Sequence, residues 1–223
     1  MCGRFTLSED VKEIEKRFDV DHTVVDNYEP SFNIAPSQHI LAIVNDGKHN
    51  RLGTLKWGLI PVWAKDEKIG YKLINARGET IHQKNSFKQA FRKRRCIIPT
   101  DGFYEWKKYD GKKKQPYRIY LKNEKVFGFA GLWEKWTNDQ GEDVFTCTII
   151  TTKANEFMRD IHDRMPVILS KANEKVWLDP AVQNTEELTS LLTPLDSSLM
   201  TAYQVSSDVN NPKNNYAGLL NSL

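Results

Sequence analysis

The sequence predicts an α+β fold, a curved antiparallel β-sheet or barrel-like core with peripheral helices. Three observations carry this. Short β-branched and aromatic runs follow one another through the middle of the chain, parted by turn signals such as Asp46-Gly47, Asp110-Gly111 and Asn138-Asp139-Gln140-Gly141. Segments with helical spacing lie mainly before and after those runs, so the alternating βαβ pattern of a parallel sheet is absent. The 223 residues show neither an internal repeat nor a low-complexity stretch. That length fits one domain or two small ones, and one domain over 1–223 is the expectation.

Ser8 is a good N-cap, with Glu9 and Asp10 at the end the helix dipole favours. Val11, Ile14 and Phe18 follow at helical spacing, which predicts a helix over 9–18. Residues 19–37 read as loop, punctuated by Pro30 and Pro36. The alternating stretch 39–45 ends at Asp46-Gly47 and predicts a hairpin with 52–58. Residues 59–85 look irregular, with Pro61, Gly70 and Gly78 among isolated charges; a long irregular stretch inside a compact fold is often a binding region. Ser86 is placed to cap a second helix, with Phe87, Ala90 and Phe91 inward and Lys88, Arg92 and Lys93 outward. Strands are expected over 96–98, 102–109, 116–121, 126–133 and 144–151, joined by hairpins into an antiparallel meander. Helices follow at 153–160, at 171–178 behind the cap Ser170, and at 185–192, with short strands at 166–169 and 201–206.

A net charge of only +3 gives no strong whole-molecule field toward nucleic acid, so any DNA binding must come from a local patch. Cys2, Cys96 and Cys147 are an odd and widely spaced set, neither a disulfide framework nor a zinc pattern. They suit a reducing cytosol. The chain has no signal-like h-region and no long apolar run, so neither secretion nor a membrane span is expected. The basic runs at 92–95 and 112–114 read as solvated helix and hairpin faces.

Four places can carry chemistry. Cys2 follows the initiator, and a small second residue favours removal of Met1. The exposed terminus would then be a 1,2-aminothiol, which no internal residue can offer. Its amine titrates near ~7.7–8.0, so part of it is an uncharged nucleophile at neutral pH. It can condense with an aldehyde, after which the thiol closes a thiazolidine; the other use is a thiol nucleophile with the amine as base. A cysteine on a frayed terminus would do neither. The second place is Asn75-Ala76-Arg77-Gly78-Glu79-Thr80, where Asn75 offers donor and acceptor and Arg77 a fork for phosphate; a turn asparagine and a surface arginine are the ordinary alternative. The third is Gly102-Phe103-Tyr104-Glu105-Trp106. On a strand Phe103 and Glu105 share one face, Tyr104 and Trp106 the other. Glu105 is then either a desolvated carboxyl with a raised pKa or a surface carboxylate paired with lysine. The fourth is Ile161-His162-Asp163-Arg164-Met165-Pro166, where His162 can move a proton near neutral pH. Arg4, Arg77 and Arg164 are the candidate phosphate contacts beside this chemistry, and Trp57, Trp63 and Trp106 the candidate base-stacking platforms.

Six blocks now stand in one order: Met1-Cys2-Gly3-Arg4-Phe5, Asn33-Ile34-Ala35-Pro36, Trp57-Gly58-Leu59-Ile60-Pro61, and the three just quoted, with Val209-Asn210-Asn211-Pro212-Lys213-Asn214 behind them. In that order they resemble the SOS response-associated peptidase (SRAP) family. The resemblance implies a single β-rich domain that recognises abasic sites in single-stranded DNA and forms a thiazolidine DNA–protein crosslink through Cys2. It implies Asn75, Glu105 and His162 as site residues, and Arg4, Arg77 and Arg164 as phosphate holders around a bent strand. Lyase-type Schiff-base chemistry and a peptidase activity tied to Met1 removal come with it. The expected protein is thus a cytoplasmic monomer, associated with the nucleoid through DNA, with no metal, cofactor or membrane partner.

Overall fold

A computed structural model of the chain describes residues 2–25, 27–109 and 114–223. Its elements are β1 (Phe5–Leu7), α1 (Val11–Arg17), β2 (His22–Thr23), β3 (Ser31–Ile34), β4 (His39–Asn45), β5 (Asn50–Trp57), β6 (Asn75–Arg77), α2 (Lys88–Lys93), β7 (Arg95–Thr100), β8 (Gly102–Lys108), β9 (Lys114–Leu121), β10 (Phe127–Thr137), β11 (Asp143–Lys153), α3 (Glu156–Arg159), β12 (Arg164–Pro166), β13 (Ile168–Leu169), α4 (Lys171–Leu178), α5 (Thr185–Ser190) and β14 (Met200–Gln204). The fold is α+β with a barrel-like core. Strands β5, β4, β7, β10 and β11 pair antiparallel in that sequence. A parallel contact, Thr146↔Lys56 and Cys147↔Trp57, joins β11 back to β5 and closes the ring. Closure removes the free edges that an open sheet would leave.

A second, open sheet runs β14-β9-β8-β1-β3 and is antiparallel throughout. The expected meander is therefore split between two sheets. Strand β7 stays in the barrel, β8 starts the second sheet, and the chain crosses between them at Asp101. The burial pattern explains the split. All six residues of β7 and the first six of β10 are buried, as befits strands covered on both faces. In β8 only the first four are buried without interruption.

Helix starts differ in detail. Asp10, not Ser8, caps α1, with its side chain accepting from Glu13 N–H at 2.9 Å. Ser8 is occupied by Asp101, to which it donates both its N–H and its hydroxyl. Ser86 caps nothing: α2 begins after Phe87 without a side-chain cap, although Phe87, Ala90 and Phe91 do turn inward. Ser170 caps α4 as expected. The stretch 19–37 contains β2 and β3. Met1, the Asp110-Gly111 turn, Lys112 and Lys113 lie outside the described residues.

One large buried cluster draws from both sheets; within it Phe5 meets Trp57 and Phe129 edge to face, at 5.3 and 6.0 Å. A smaller cluster on the outer face of the second sheet joins Tyr104 to Val205, Val209 and Leu219, with Trp106 and Phe32 against it. The C-terminal segment thus covers that face.

Candidate active site

Cys2 enters the fold three residues ahead of Phe5, which β1 sets between Ile34 of β3 and Phe103 of β8. The ladder continues back to Arg4, whose carbonyl accepts from Tyr104 N–H at 2.9 Å. Cys2 is fully buried, which rules out a frayed terminus. Its thiol is held well above the ordinary range, first by burial and next by the negative charge of Glu105. The amino-terminal strand and the glutamate of β8 therefore meet.

Strand alternation places Glu105 as read. Phe103 belongs to the main core, while Tyr104 and Trp106 face the C-terminal segment. Glu105 is only 3% exposed, so the reading as a surface carboxylate paired with lysine is excluded. Burial pushes its carboxyl up to about 7, and the charge of Asp163 adds to the rise.

Asp163 belongs to the turn after α3, where His162 N–H donates to Met158 O at 2.8 Å. The imidazole is half-buried, and burial lowers its pKa. Its Nδ1 accepts from Arg164 N–H at 3.0 Å and lies 2.9 Å from Asp163 Oδ1.

Asn75 arrives on β6, a three-residue strand parallel to β11 with Asn75 opposite Ile149. Trp57 helps to place it, because its indole N–H donates to Ile74 O at 2.9 Å. Both the Oδ1 and the Nδ2 of Asn75 are buried without a hydrogen-bond partner among the described residues. Leaving one buried polar group unpaired costs ~1–3 kcal/mol. With both polar atoms unpaired among the described residues, the side chain has its hydrogen bonds left for water or a ligand.

The cations around this centre differ in availability. Arg77 is exposed and has no side-chain hydrogen bond or ion pair among the described residues. Arg4 donates through Nη1 to Asn33 Oδ1 at 2.8 Å and to Val209 O, and its guanidinium lies 5.9 Å from the Trp106 ring. Arg164 is paired with Glu79 through both Nη atoms, at 2.7 and 3.0 Å. Trp63 is 55% exposed on the loop between β5 and β6. It divides two shallow grooves, one lined by Lys65, Lys68 and Lys72, the other by Lys88 and Gln89. Trp106 is half-buried and donates to Asn210 Oδ1 at 2.7 Å. Trp57 is fully buried and is a core residue, not a stacking platform. A deeper groove lies elsewhere, beside the Arg17–Glu174 pair, and holds none of these residues.

Three contributors were not singled out from sequence. Asn33 is buried and its amide donates to Asn211 O and Asn214 O at 3.1 and 2.8 Å, fastening the C-terminal segment beside Arg4. The asparagine-rich run 209–214 was the available signal. Glu79 and Asp101 gave none, since their partners Arg164 and Arg118 are distant in the chain. Among the described residues no group of three or more His, Cys, Asp or Glu is arranged to hold a metal ion.

Barrel, second sheet and site define an α+β protein with a thiol, a carboxyl and an imidazole gathered where its amino-terminal strand begins. The chain belongs to the SOS response associated peptidase (SRAP) family, whose sequence model matches residues 1–212. It is 59% identical over 223 residues to the abasic site processing protein YoaM of Bacillus subtilis, covering 100% of this chain and 98% of that one. It is 58% identical to the abasic site processing protein YoqW of the same organism, covering 100% of both. The crystal structure of a Bacteroides thetaiotaomicron protein matches with a TM-score of 0.90 at 30% identity, over 100% of both chains.

Proposed function

We propose that this protein processes abasic sites by capturing them covalently in single-stranded DNA, through Cys2 once Met1 has been removed. The observation that carries the reading is the burial of Cys2 against Glu105, a carboxyl pushed up to about 7. A carboxyl at that value is part protonated and part ionised at neutral pH, so it can give and take a proton. The names of the Bacillus relatives support the substrate.

The abasic deoxyribose is mostly a closed hemiacetal. His162 passes a proton to the ring oxygen as it opens and takes back the one released by the anomeric hydroxyl, which the Asn75 amide orients. The Cys2 amine attacks C1′ and forms a carbinolamine. Loss of one water, with Glu105 supplying the proton to the departing hydroxyl and taking one back from nitrogen, leaves an imine. The thiol adds to the imine carbon, its proton passes to nitrogen through Glu105, and the thiazolidine is closed. A lingering imine would promote β-elimination and cut the strand; ring closure removes it.

Arg77 supplies the open phosphate contact and Trp63 the stacking platform. Arg4 on Trp106, and Arg164 on Glu79, flank the site as built-in cations. Extruding a sugar from a duplex costs a few kcal/mol, so a single strand is the better substrate. Binding through the backbone is salt-sensitive. One chain supplies every group, so a monomer suffices. Burial and Glu105 raise the Cys2 thiol, so neither this chemistry nor a thiol peptidase rests on a standing thiolate; both need a base beside it.

The test is an intact mass after mixing with an abasic single-stranded oligonucleotide. The expected product weighs the sum of the two less one water. Cys2→Ala should give only a labile adduct, and an N-terminal tag should give none. An unmodified wild-type mass, or crosslinking by protein that retains Met1, would sink the proposal.

A further inference from the structure

We propose that Glu79 is a positioning residue: paired with Arg164, it straps the strand that carries Asn75 to the turn that carries His162 across β11. The inference rests on the crosslinking reading and names a residue that sets the geometry of that site.

Glu79 lies four positions after Asn75, in the single 3-10 turn Gly78–Thr80 that follows β6. Arg164 lies two positions after His162, at the start of β12. Strands β6 and β12 lie on either side of β11 and share one residue of it, since Thr151 pairs with Arg77 and with Pro166. The Arg164 side chain bridges this gap. Its two Nη atoms donate to the two Glu79 oxygens at 2.7 and 3.0 Å, and Nη2 also donates to Thr151 O at 2.8 Å and Thr151 Oγ1 at 3.2 Å. Two parallel charge-assisted bonds fix the plane of the pair as well as its length. One guanidinium therefore ties three strands.

The same residue holds the imidazole from behind, because Arg164 N–H donates to His162 Nδ1. Any slackening of the strap reaches His162 through a single backbone bond. Asn75 has no such anchor of its own: its amide is unpaired among the described residues. Its place depends on how β6 is held, by its ladder to β11, by Trp57 on Ile74 before it and by Glu79 after it. The pairing also bears on phosphate binding. Glu79 fills the fork of Arg164, whereas Arg77 is open, so an incoming phosphate meets Arg77 without displacing a carboxylate.

The test uses the whole protein as wild type, Glu79→Ala, Glu79→Gln and Glu79→Asp, each checked by thermal melting. Three quantities are read: the Kd for a single strand bearing a non-reactive tetrahydrofuran abasic analogue, the single-turnover crosslinking rate at saturating aldehyde-bearing strand, and the NMR titration of His162 without DNA. The charges around that ring are the terminal amine, Asp163 on its own turn and Lys108 of β8, with Glu105 of β8 facing Asp163. Glu79→Ala should keep the Kd within about twofold while the rate falls ~10- to 100-fold, as expected for misplaced reacting groups. The His162 midpoint should rise toward the ordinary value of ~6.5. Glu79→Asp should recover part of both, and Glu79→Gln should lie between. Tighter binding with an undiminished rate would overturn the proposal, because Glu79 would then be a mere competitor for phosphate. An unchanged His162 titration in Glu79→Ala overturns it equally. Were the wild type to bind the analogue but never crosslink, the proposed function would fail, and the titration would still decide the strap.

Discussion

A carboxyl that keeps its proton near neutrality is useful to imine chemistry and costly to the fold. Glu105 has a folded pKa of about 7 against a reference of 4.5. Below the reference value the group is protonated in both states and costs nothing. As pH rises, the unfolded chain ionises first while the folded chain holds its proton, so stability falls with pH until about 7 and then levels. The full loss for such a shift is ~3 kcal/mol. Glu105→Gln has no proton to lose. Urea denaturation at pH 5 and pH 8 should therefore show the variant gaining on wild type by about that amount at the higher pH. Identical pH dependence in the two proteins would mean that the carboxyl is not held neutral. The same substitution should slow crosslinking, a trade of activity against stability that marks functional residues. At this scale the sequence was partly readable. Phe103, Tyr104 and Trp106 around Glu105 pointed to desolvation but left an exposed alternative open, and 3% exposure settles it. Glu79 stands in the quoted 75–80 block, but its pairing left no trace there, because its partner is 85 positions away.

The elements show where pattern stops being informative. Strand β4 coincides with the run 39–45, but its burial does not alternate, since Ile40, Leu41, Ala42 and Ile43 are all buried; what located it is its apolar run ending at the Asp46-Gly47 turn. The stretch 59–85 showed its candidate residues, Trp63 and the 75–80 block, but not what orders it. What orders its first half is a crossing of two glycines. Gly58 has φ +134°, and a Cβ on it would stand 2.8 Å from Gly70 O. A Cβ on Gly70 would stand 2.7 Å from Gly58 O. Beside this crossing Leu59 N–H donates to Leu73 O and Gly58 N–H to Cys147 O. Both ends of the loop bearing Trp63 are thus pinned, and the chain is delivered to β6 with Asn75 in place. Gly58→Ala should lose ~2–4 kcal/mol, since strained backbone and a clash with main chain combine. Gly53→Ala, where nothing lies within 4 Å of the added methyl, should change stability by less than ~0.5 kcal/mol. Denaturation midpoints of the two variants check this. Equal effects would show that the crossing does not fix the loop.

Across the whole molecule, hairpin signals told which strands adjoin through a turn, but not which sheet each joins. That partition is set by distant pairings, β7 with β10 and β1 with β8, which leave no local trace. The joint between barrel and second sheet is Asp101. Its carboxylate accepts from Thr6 Oγ1, from Ser8 N–H and Oγ, and from Arg118 Nη2 at 3.1 Å, while Arg118 Nη2 also donates to Asp101 O at 3.0 Å. The two side chains are 5% and 10% exposed. A buried pair of this kind adds little over an apolar substitute, but removing one partner strands a charge and costs ~3–5 kcal/mol. Asp101→Asn and Arg118→Met should each lose stability on that scale, and the double variant should lose clearly less than their sum, which urea denaturation of all four proteins would show. Because Thr6 and Ser8 follow Cys2 by only a few residues, loosening Asp101 also frees the strand that aims the aminothiol. Asp101→Asn should then slow crosslinking at saturating DNA more than it weakens binding of the non-reactive analogue. Additive losses, or a defect confined to binding, would separate the joint from the site and leave Cys2 positioned by β8 alone.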